Sequence, residues 1–416
     1  MTCRKRSATL ASGLSYLGLT VVTATHIGYP ILAKLAASHT RRAHPLGERI
    51  EQSYLPELTV LVPAYNEAPF IAHKIHDTLA QDYPQESLEI IVIDDGSDDA
   101  TAEAAASVKN PRVRVLTQTP RQGKSSALNR GVQEATSEIV VFTDANGSLD
   151  PGSLRAVAAP FSDPRVAVVS GRKRPVGNGA HGDGESFYWR YESELKDAEG
   201  VLGSVVGADG GIYAVRKSAY QPIPPHTYAD DYWIPIDALS RGYLVRHAMD
   251  ACATETISQT KRDDFERRKR IAAGIWQVTL SHKDLARPTH RWTAIAFICH
   301  RFLRTIVVPS VLPVIFVSSC IAARHGNWLI RVLLAGQIGS WAAAAAGAGS
   351  NFRIFAVPYQ FAMSNIAAIV GGYRHLSRSQ SGLWHRTERG GWHSPHSKAR
   401  SPIDIKAREP IDLNAG

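Results

Sequence analysis

Cysteine is scarce in this chain, and the few cysteines are scattered. The 416 residues include four, at Cys3, Cys252, Cys299 and Cys320. They show neither a paired framework nor the short spacings of a zinc site, which excludes a disulfide-stapled scaffold and a cysteine-ligated metal centre. We expect reduced thiols in a cytosolic compartment. A repeat of roughly 20 to 50 residues is also missing, which argues against a solenoid.

A glycine-rich phosphate loop is missing as well. The first predicted strand runs into Ala64 to Glu67, where a dinucleotide-binding fold needs its glycine fingerprint. Gly123 to Ser125 is similar to the end of a P-loop, but Gln118 occupies the place of the first glycine of that motif. The sequence therefore argues against both of these common nucleotide-binding loops.

Acidic residues are outnumbered by basic ones. The chain has 47 Lys and Arg against 38 Asp and Glu, a formal net charge of +9. Much of the excess lies beside apolar segments, at Arg4 to Arg6, around Arg267 to Arg270 and from Arg374 to Arg408. This placement favours a membrane surface or a phosphorylated ligand as the partner and argues against nucleic acid.

Long apolar runs are few and lie towards the two ends of the chain. Leu10 to Ala37 is long enough to cross a bilayer, which requires about 20 residues. The alternative is a signal peptide, cleaved among the small residues from Ala33 to Ser38. We expect a polar linker from Ser38 to Pro56.

The composition becomes apolar again after residue 287. Trp292 to Arg304 has the polar spacing of an interfacial amphipathic helix, and two spans, Val307 to Ala323 and Trp328 to Ala348, follow. Phe352 to Tyr373 is a weaker apolar segment. The predicted domains are a membrane helix with linker at 1–57, a soluble domain at 58–287, interfacial and membrane helices at 288–376, and a polar basic tail at 377–416.

Short β-rich runs alternate with helical patterns from Leu58 to Gly171. This rhythm predicts an α/β domain with a mixed, mostly parallel sheet, whose ligands bind at the carboxyl ends of the strands. We interpret Gly182 to Gly211 and Gly242 to Glu255 as extensions that complete the sheet and cover its site. The predicted strands are Thr59 to Pro63, Glu89 to Ile93, Val113 to Thr117, Glu138 to Thr143 and Val166 to Ser170, and the predicted helices are Pro69 to Gln81, Ala100 to Val108 and Ser125 to Ala135.

Six motifs follow one another through the soluble domain. They are "VLVPAYNE" from Val60, "VIDDGSDDAT" from Val92, "RQGKSSALNRG" from Arg121, "FTDANGS" from Phe142, "ADDYWIP" from Ala229 and "FERRKRIAAGIWQ" from Phe265. In this order they resemble the family 2 glycosyltransferases. The flanking spans, with "GYP" from Gly28 and "WHRTER" from Trp384, are similar to the membrane-bound polysaccharide-synthesising branch related to cellulose and poly-N-acetylglucosamine synthases. The resemblance implies the GT-A fold and a nucleotide-sugar donor.

The acidic pair Asp94 and Asp95 ends a buried strand. At the carboxyl edge of the sheet these carboxylates can accept hydrogen bonds from the uracil and ribose of a donor, although Asp-Gly-Ser-Asp is also a good turn sequence. Lys124 is expected to lie near the diphosphate and Asn129 to support the same loop; the alternative for Lys124 is a solvated side chain.

Asp144 and Asn146 follow the next buried strand and form the candidate metal site. Two oxygen ligands two residues apart fit Mg²⁺ or Mn²⁺, which would neutralise charge on the leaving diphosphate. Family members usually carry a second Asp where Asn146 stands, so Asp144 is the stronger candidate; its alternative role is a cap at the strand end.

The resemblance also implies the catalytic base. In the family a Thr-Glu-Asp triplet supplies this base from its final residue, which corresponds to Asp231, with Asp230 as the second candidate. The alternative is that both acids cap a helix that begins near Tyr232. Processive synthases carry Gln or Arg, two variable residues and Arg-Trp, a motif that binds the diphosphate and the acceptor end. Here Arg267 and Arg270 match and are the expected donor contacts. Ile271 replaces the tryptophan at the acceptor end, which puts processivity in doubt.

Acceptor contacts are expected on the segment before the base. Phe187, Tyr188, Trp189 and Tyr191 could stack on sugars or belong to the core, and Asp209 lies in a glycine-rich loop that is either an acceptor contact or a plain turn. For Arg267 to Arg270 the alternative is a solvated basic face or a lipid-headgroup contact.

The expected activity is inverting transfer of a hexose or N-acetylhexosamine from UDP to a growing exopolysaccharide or a lipid-linked glycan. The alternatives are a single-sugar transferase with a lipid acceptor and a catalytically silent synthase subunit. We expect a multi-pass inner-membrane protein with a cytosolic catalytic domain, the amino terminus outside and the basic tail in the cytosol. Its candidate macromolecular partner is a polysaccharide synthase or export complex.

Overall fold

The structure is a computed structural model that describes residues 3–43, 54–177, 179–258, 260–287, 291–324, 328–350 and 352–380. The central part of the predicted linker and most of the predicted basic tail, including Trp384 to Arg389, lie outside the described residues. Within them Cys252, Cys299 and Cys320 are free thiols, as expected.

An eight-stranded sheet forms the centre of the soluble domain. The strands are β1 Leu58–Ala64, β2 Leu88–Asp94, β3 Val113–Thr117, β4 Ile139–Phe142, β5 Gly147–Leu149, β6 Val166–Val176, β7 Tyr213–Arg216 and β8 Leu244–Thr256. Their order in the sheet is β3-β2-β1-β4-β7-β6-β8-β5. Parallel pairs join β1 to β2, β1 to β4, β2 to β3 and β6 to β8, whereas β7 runs antiparallel to β4 and β6, and β5 runs antiparallel to β8. The predicted mixed, mostly parallel sheet is therefore confirmed.

Both faces of the sheet are covered by helices, which explains its continuous apolar strands. The helices are α1 Cys3–Thr23, α2 Tyr29–Ala43, α3 Ala68–Leu79, α4 Thr101–Ala106, α5 Lys124–Glu134, α6 Ser153–Ala158, α7 Gly179–Leu202, α8 Asp230–Ser240, α9 Lys261–Ser281, α10 Trp292–Ala296, α11 Val308–Ala323, α12 Trp328–Gly349 and α13 Ala356–Leu376. On β1, Val60 and Val62 belong to one buried cluster with α3 and α6 residues, while Leu61 belongs to the other cluster with α5 and α8 residues.

Three helices in the described part of the chain are long and apolar enough to cross a membrane. They are Ser7–Arg42, Trp292–Ala323 and Trp328–Gly349. The first of these long helices consists of α1 and α2, which are joined by a π-helical turn, and it continues to Ala43. The predicted linker therefore begins later than Ser38.

The predicted interfacial segment is the first part of the second long helix. A π-helical stretch, Phe297–Val307, joins α10 to α11 without a break. His300 is buried between the carboxylates of Glu192 and Glu199 on α7, and Arg304 also pairs with Glu192. The polar residues that suggested a lipid-surface helix therefore face the soluble domain.

Helix α13 packs closely against α9. A Cβ atom at Gly371 would lie 2.6 Å from the carbonyl oxygen of Lys269, and one at Gly372 would lie 2.5 Å from the ring of Trp276. Glycine is therefore required at this crossing, because real Cβ contacts are longer. The close approach places α13 beside α7 and α9, where it lines part of the candidate active site.

Candidate active site

Lys124 lies at the centre of the candidate site. It is the first residue of α5, and its Nζ lies 3.1 Å from Oδ1 of Asp144 and 3.3 Å from Oδ1 of Asp230. Burial alone would lower the pKa of Lys124, but the charges of Asp144, Asp230 and Asp231 outweigh burial and raise it. The ammonium group of Lys124 thus contacts both the predicted metal-binding turn and the segment that carries the predicted base. Lys124 is therefore not the solvated side chain of the alternative interpretation.

The turn between β4 and β5 carries the predicted metal ligands. Asp144 is half-exposed and directed at Lys124, while the side-chain oxygen of Asn146 is buried without a hydrogen-bond partner among the described residues. No group of three or more His, Cys, Asp or Glu side chains suited to a metal occurs in the described part of the chain. Two oxygen ligands with one unsatisfied atom fit a hard divalent cation that takes its other ligands from a diphosphate and water.

Lys74 supports this turn from below and was not predicted from the sequence. It is fully buried on α3, and its Nζ donates to Oγ1 of Thr143 and to the carbonyl of Gly147, each at 2.8 Å. Burial lowers the pKa of Lys74 to about 8, against the opposing charges of Asp77 and Asp144. In the sequence, Lys74 is indistinguishable from an exposed lysine on the polar face of an amphipathic helix, so its buried position is visible only in the fold.

Asp95 organises the loop in front of Lys124. Its carboxylate is buried and accepts from Nε2 of Gln118 at 2.6 Å, from the backbone N–H of Gln122 at 2.8 Å and from that of Gly123 at 2.9 Å. Asp94, at the end of β2, accepts instead from Ser97, and burial raises its pKa. Both aspartates thus fix turns at the carboxyl edge of the sheet, and their direct contact with a nucleotide stays a prediction.

Asn129 serves a structural role one turn further along α5. Its Oδ1 accepts from the hydroxyl of Tyr220 at 2.6 Å and from the N–H of Ile223 at 2.8 Å, and its Nδ2 donates to the carbonyl of Ile223. The amide therefore holds the segment from 220 to 223 rather than the loop before Lys124, and a contact of Asn129 with a nucleotide stays a prediction.

The two candidate bases stand in the first turn of α8. Asp230 is buried, accepts from the hydroxyl of Tyr213 at 2.8 Å and pairs with Lys124. Asp231 is half-buried, and burial followed by the charge of Asp230 raises its pKa to about 6, although Lys124 opposes the shift. A carboxylate with a raised pKa is suited to accept a proton near neutral pH, whereas Asp230 is held by its partners.

Gly210 allows the loop before β7 to approach the base. A Cβ atom there would lie 2.9 Å from Oδ2 of Asp231. The backbone N–H of Ala208 also donates to the carbonyl oxygen of Asp231 at 2.8 Å. The glycine-rich segment, predicted to be either an acceptor contact or a plain turn, therefore lies against the candidate base.

The basic run of α9 is largely buried. Arg267 and Arg268 pair with Asp264, which is 1% exposed, and Arg268 also pairs with Glu185 on α7. Burial lowers the pKa of Arg268 to about 10. These contacts contradict the alternative of a solvated basic face.

Arg270 lies one turn beyond Arg267 on α9. Its guanidinium donates to the carbonyl of Tyr228 at 3.2 Å. Burial lowers the pKa of Arg270, opposed by the negative charges of Asp230 and Asp231. Arg270 therefore lies near the candidate bases, and the contact of Arg267 and Arg270 with a diphosphate stays a prediction.

A cavity of about 590 Å³ opens beside Asp231. We call it the Asp231 cavity. Its wall includes all four predicted acceptor residues, Trp189, Tyr191, Asp209 and Ile271, and also Phe187 and Tyr188. The aromatic side chains whose role was open between core and groove thus border open space beside the candidate base.

Asp209 lies in the wall of this cavity and forms an ion pair there. It is 3% exposed and pairs with the buried ammonium of Lys196 on α7, while its Oδ2 has no hydrogen-bond partner in the described part of the chain. An unsatisfied buried carboxylate oxygen can accept from a ligand hydroxyl. Lys196 was not predicted, because its role depends on a loop 13 residues away.

Comparison with known proteins identifies the domain. The family described as "Glycosyl transferase family 2" matches residues 59–222. The chain carries a family 2 glycosyltransferase domain. Its match begins on β1 and includes the Asp95, Lys124 and Asp144 segments, while Asp231 and α9 lie beyond it.

A solved structure extends the likeness of the glycosyltransferase domain to most of the chain. The mannosyltransferase PcManGT from Pyrobaculum calidifontis, solved with GDP-Man and Mn²⁺, is 25% identical, with a TM-score of 0.68. The alignment covers 88% of this chain and 100% of that one. The expected GT-A fold is confirmed.

Curated relatives agree on the kind of enzyme. An N-acetylglucosaminyltransferase of Rhizobium meliloti is 24% identical over 58% of this chain and 60% of its own length. A poly-beta-1,6-N-acetyl-D-glucosamine synthase of Staphylococcus aureus is 28% identical over 54% and 56%. The chain thus spans about three fifths of the length of these relatives.

Proposed function

We propose that this chain transfers a sugar, with inversion, from a UDP-sugar to a growing exopolysaccharide or a lipid-linked glycan. The observation that carries the proposal is the ion pairing of Lys124 with both Asp144 and Asp230, next to Asp231. A cation between a metal-ligand turn and a base suits a site that holds an anionic leaving group beside an acceptor. The N-acetylglucosamine chemistry of the relatives' names favours an N-acetylhexosamine donor.

Asp231 is the proposed general base. An acceptor hydroxyl oxygen forms a bond to the anomeric carbon of the donor, and its proton passes to a carboxylate oxygen of Asp231. The bond between that carbon and the diphosphate oxygen breaks, and the electron pair leaves with UDP. Attack opposite the leaving group inverts the configuration.

Asp144 and Asn146 would hold Mg²⁺ or Mn²⁺, and Lys74 fixes the turn that carries them. Such a cation stabilises negative charge on the departing diphosphate. Lys124 adds a second positive charge at the same place, and Arg270 a third near Asp230 and Asp231. Asp95 contributes by holding the loop that precedes Lys124.

The proposed location is the inner membrane, with three spans, the catalytic domain and the basic tail in the cytosol and the amino terminus outside. The three apolar helices support this arrangement, since an odd number of spans puts the two ends of the chain on opposite sides. Nucleotide sugars are cytosolic, so the active site must face that side. A synthase or export complex remains the proposed partner.

A single-sugar transferase is the second candidate. Ile271 lines the Asp231 cavity where processive synthases have tryptophan, so the aromatic stacking surface is missing at that point. A silent subunit is disfavoured because Asp144, Lys124 and Asp231 are all in place.

One assay separates these functions. Membranes containing the chain are incubated with radiolabelled UDP-sugars and Mg²⁺ or Mn²⁺, and the labelled products are sized. Long products indicate a polymerase, a single added sugar indicates the second candidate, and no labelled product with any UDP-sugar would contradict the proposed enzyme.

A further inference from the structure

The Asp231 cavity extends from the soluble domain to helices α11 and α13. One end of its wall contains Asp231 and Asp209, and the other contains Pro309 of α11 and Phe361 and Asn365 of α13. A wholly soluble acceptor would not require a binding site that continues to α11 and α13.

A second cavity borders the first one between helices α11, α12 and α13. We call it the interhelical cavity; it has a volume of about 520 Å³ and shares Pro309 and Asn365 with the Asp231 cavity. Asn365 is the single polar side chain in its wall, which belongs to α11, α12 and α13. The apolar wall consists of Pro309, Leu312, Pro313, Phe316, Ile338, Trp341, Ala342, Ile366 and Ile369.

We infer that the acceptor is a membrane glycolipid, with its sugar in the Asp231 cavity and its alkyl chain in the interhelical cavity. The inference rests on the proposed function and names the acceptor of that same site. It follows from the shared wall of a cavity that contains a base and a cavity that is almost wholly apolar.

The chemistry of the Asp231 cavity favours a sugar over a bare lipid phosphate. An ionised phosphate oxygen needs no base to become a nucleophile, whereas a sugar hydroxyl does, and Asp231 is placed to serve it. Oδ2 of Asp209 and Oε1 of Gln360 are both buried without a hydrogen-bond partner among the described residues. These two acceptors can bind hydroxyl groups, and Trp189 can stack on a sugar ring.

The chemistry of the interhelical cavity favours an alkyl chain over a glycan strand. A polysaccharide there would lose water from many hydroxyl groups and find one amide, that of Asn365, in exchange. An alkyl chain gains about 0.8 kcal/mol per buried methylene in such surroundings. Since α11 and α12 lie in two of the candidate spans, a lipid tail can reach the cavity from the bilayer.

The test compares two acceptors that share one sugar. The full chain in nanodiscs receives radiolabelled UDP-N-acetylglucosamine, Mn²⁺ and either methyl or dodecyl β-N-acetylglucosaminide. Ile366→Trp narrows the interhelical cavity, and Ile321→Trp is the matched control, because Ile321 has nearly the same exposure, 41% against 42%, and lines neither cavity.

We expect the dodecyl glycoside to have the lower KM with the parent chain. Ile366→Trp should raise that KM about 10-fold, through lost contact with roughly two methylene groups, and leave the methyl glycoside unchanged. Ile321→Trp should change the KM of neither glycoside. Enrichment of the long glycoside in the bilayer would be the same for both variants, so a difference between them reports binding in the interhelical cavity.

Three results would overturn the inference. Transfer to both glycosides with a KM that Ile366→Trp does not change would refute the lipid-tail site and leave the proposed glycosyltransferase function intact. Release of UDP without label on the dodecyl glycoside would also refute the glycolipid acceptor, whereas no UDP release and no labelled product with any UDP-sugar would overturn both proposals together.

Discussion

At the scale of single residues, the site combines one cation with carboxylates of different roles. Lys124 pairs with Asp144 and Asp230, and Tyr213 also holds Asp230. Asp231 is left with a raised pKa beside open space. The environment therefore favours Asp231 over its neighbour as the group that accepts a proton.

The ionisation of Asp231 predicts the pH dependence of transfer. A base works only when it is deprotonated, and burial raises the pKa of Asp231 to about 6. We expect kcat/KM to rise with pH through about 6 and then level off, and to fall about tenfold per pH unit well below that value. A profile measured at saturating metal that stays flat between about pH 5 and 7 would contradict this role.

The metal turn allows a gain-of-function prediction. Asn146→Asp places a carboxylate where the unpaired amide oxygen now lies, and Asp144→Asn removes one. The first variant should lower the Mn²⁺ concentration needed for half-maximal donor binding, and the second should raise it, because a charged oxygen ligand binds the cation more strongly. Equilibrium binding of labelled UDP-sugar against Mn²⁺ concentration measures both. Identical curves for the three proteins would remove Asp144 and Asn146 from the metal site.

The location of a site residue could be predicted where the residue stands at the end of a strand or a helix. Asp144 follows β4 and Lys124 begins α5, so their motifs sufficed to bring them to one edge of the sheet. Asn129 shows the limit, because its amide is occupied by Tyr220 and Ile223, which are more than 90 residues away. Sequence spacing contains no information about such partners.

At the scale of secondary structure, Lys74 connects helix α3 to the turn between β4 and β5. We expect Lys74→Met to destabilise the fold by roughly 1–3 kcal/mol, because the buried carbonyl of Gly147 loses its donor. Thermal unfolding in detergent, with and without UDP and Mn²⁺, measures the change. The control is Lys109→Met, an exposed position; equal melting temperatures for the two variants would refute the connection.

The apolar helices near the two ends of the chain were predicted well, but the partners of the polar helical segments were not. The spacing of His300, Arg301 and Arg304 suggested a lipid surface, yet His300 and Arg304 contact carboxylates of α7. The basic run of α9 is likewise neutralised by Asp264 and by Glu185, which lies about 80 residues earlier. A helical pattern identifies a polar face, but the element that covers it depends on tertiary packing.

At the scale of the whole molecule, the glycosyltransferase domain packs against the helices that follow it in the chain. Helix α13 crosses α9 at two glycines, and helices α11 and α13 form one end of the Asp231 cavity. The order of motifs could predict the GT-A domain and the apolar segments separately. Their shared cavity could not be predicted, because it depends on side chains from α7, α9, α11 and α13 together.

The proposed orientation predicts where a label can reach the chain. Lys109→Cys adds a thiol on the exposed surface of the glycosyltransferase domain. A membrane-impermeant maleimide should label this variant no more than the parent chain in intact cells, and more strongly once the cells are opened. Extra labelling in intact cells would place the domain outside and contradict the orientation.

Asp231→Asn tests the central assignment most directly. Asp237→Asn is the matched control, since Asp237 lies on the same helix, pairs with Arg241 and does not line the Asp231 cavity. We predict that the Asp231 variant binds UDP-sugar with Mn²⁺ like the parent chain but transfers sugar about 100-fold or more slowly, while the control keeps full activity. Transfer at the parent rate by the Asp231 variant would contradict the account.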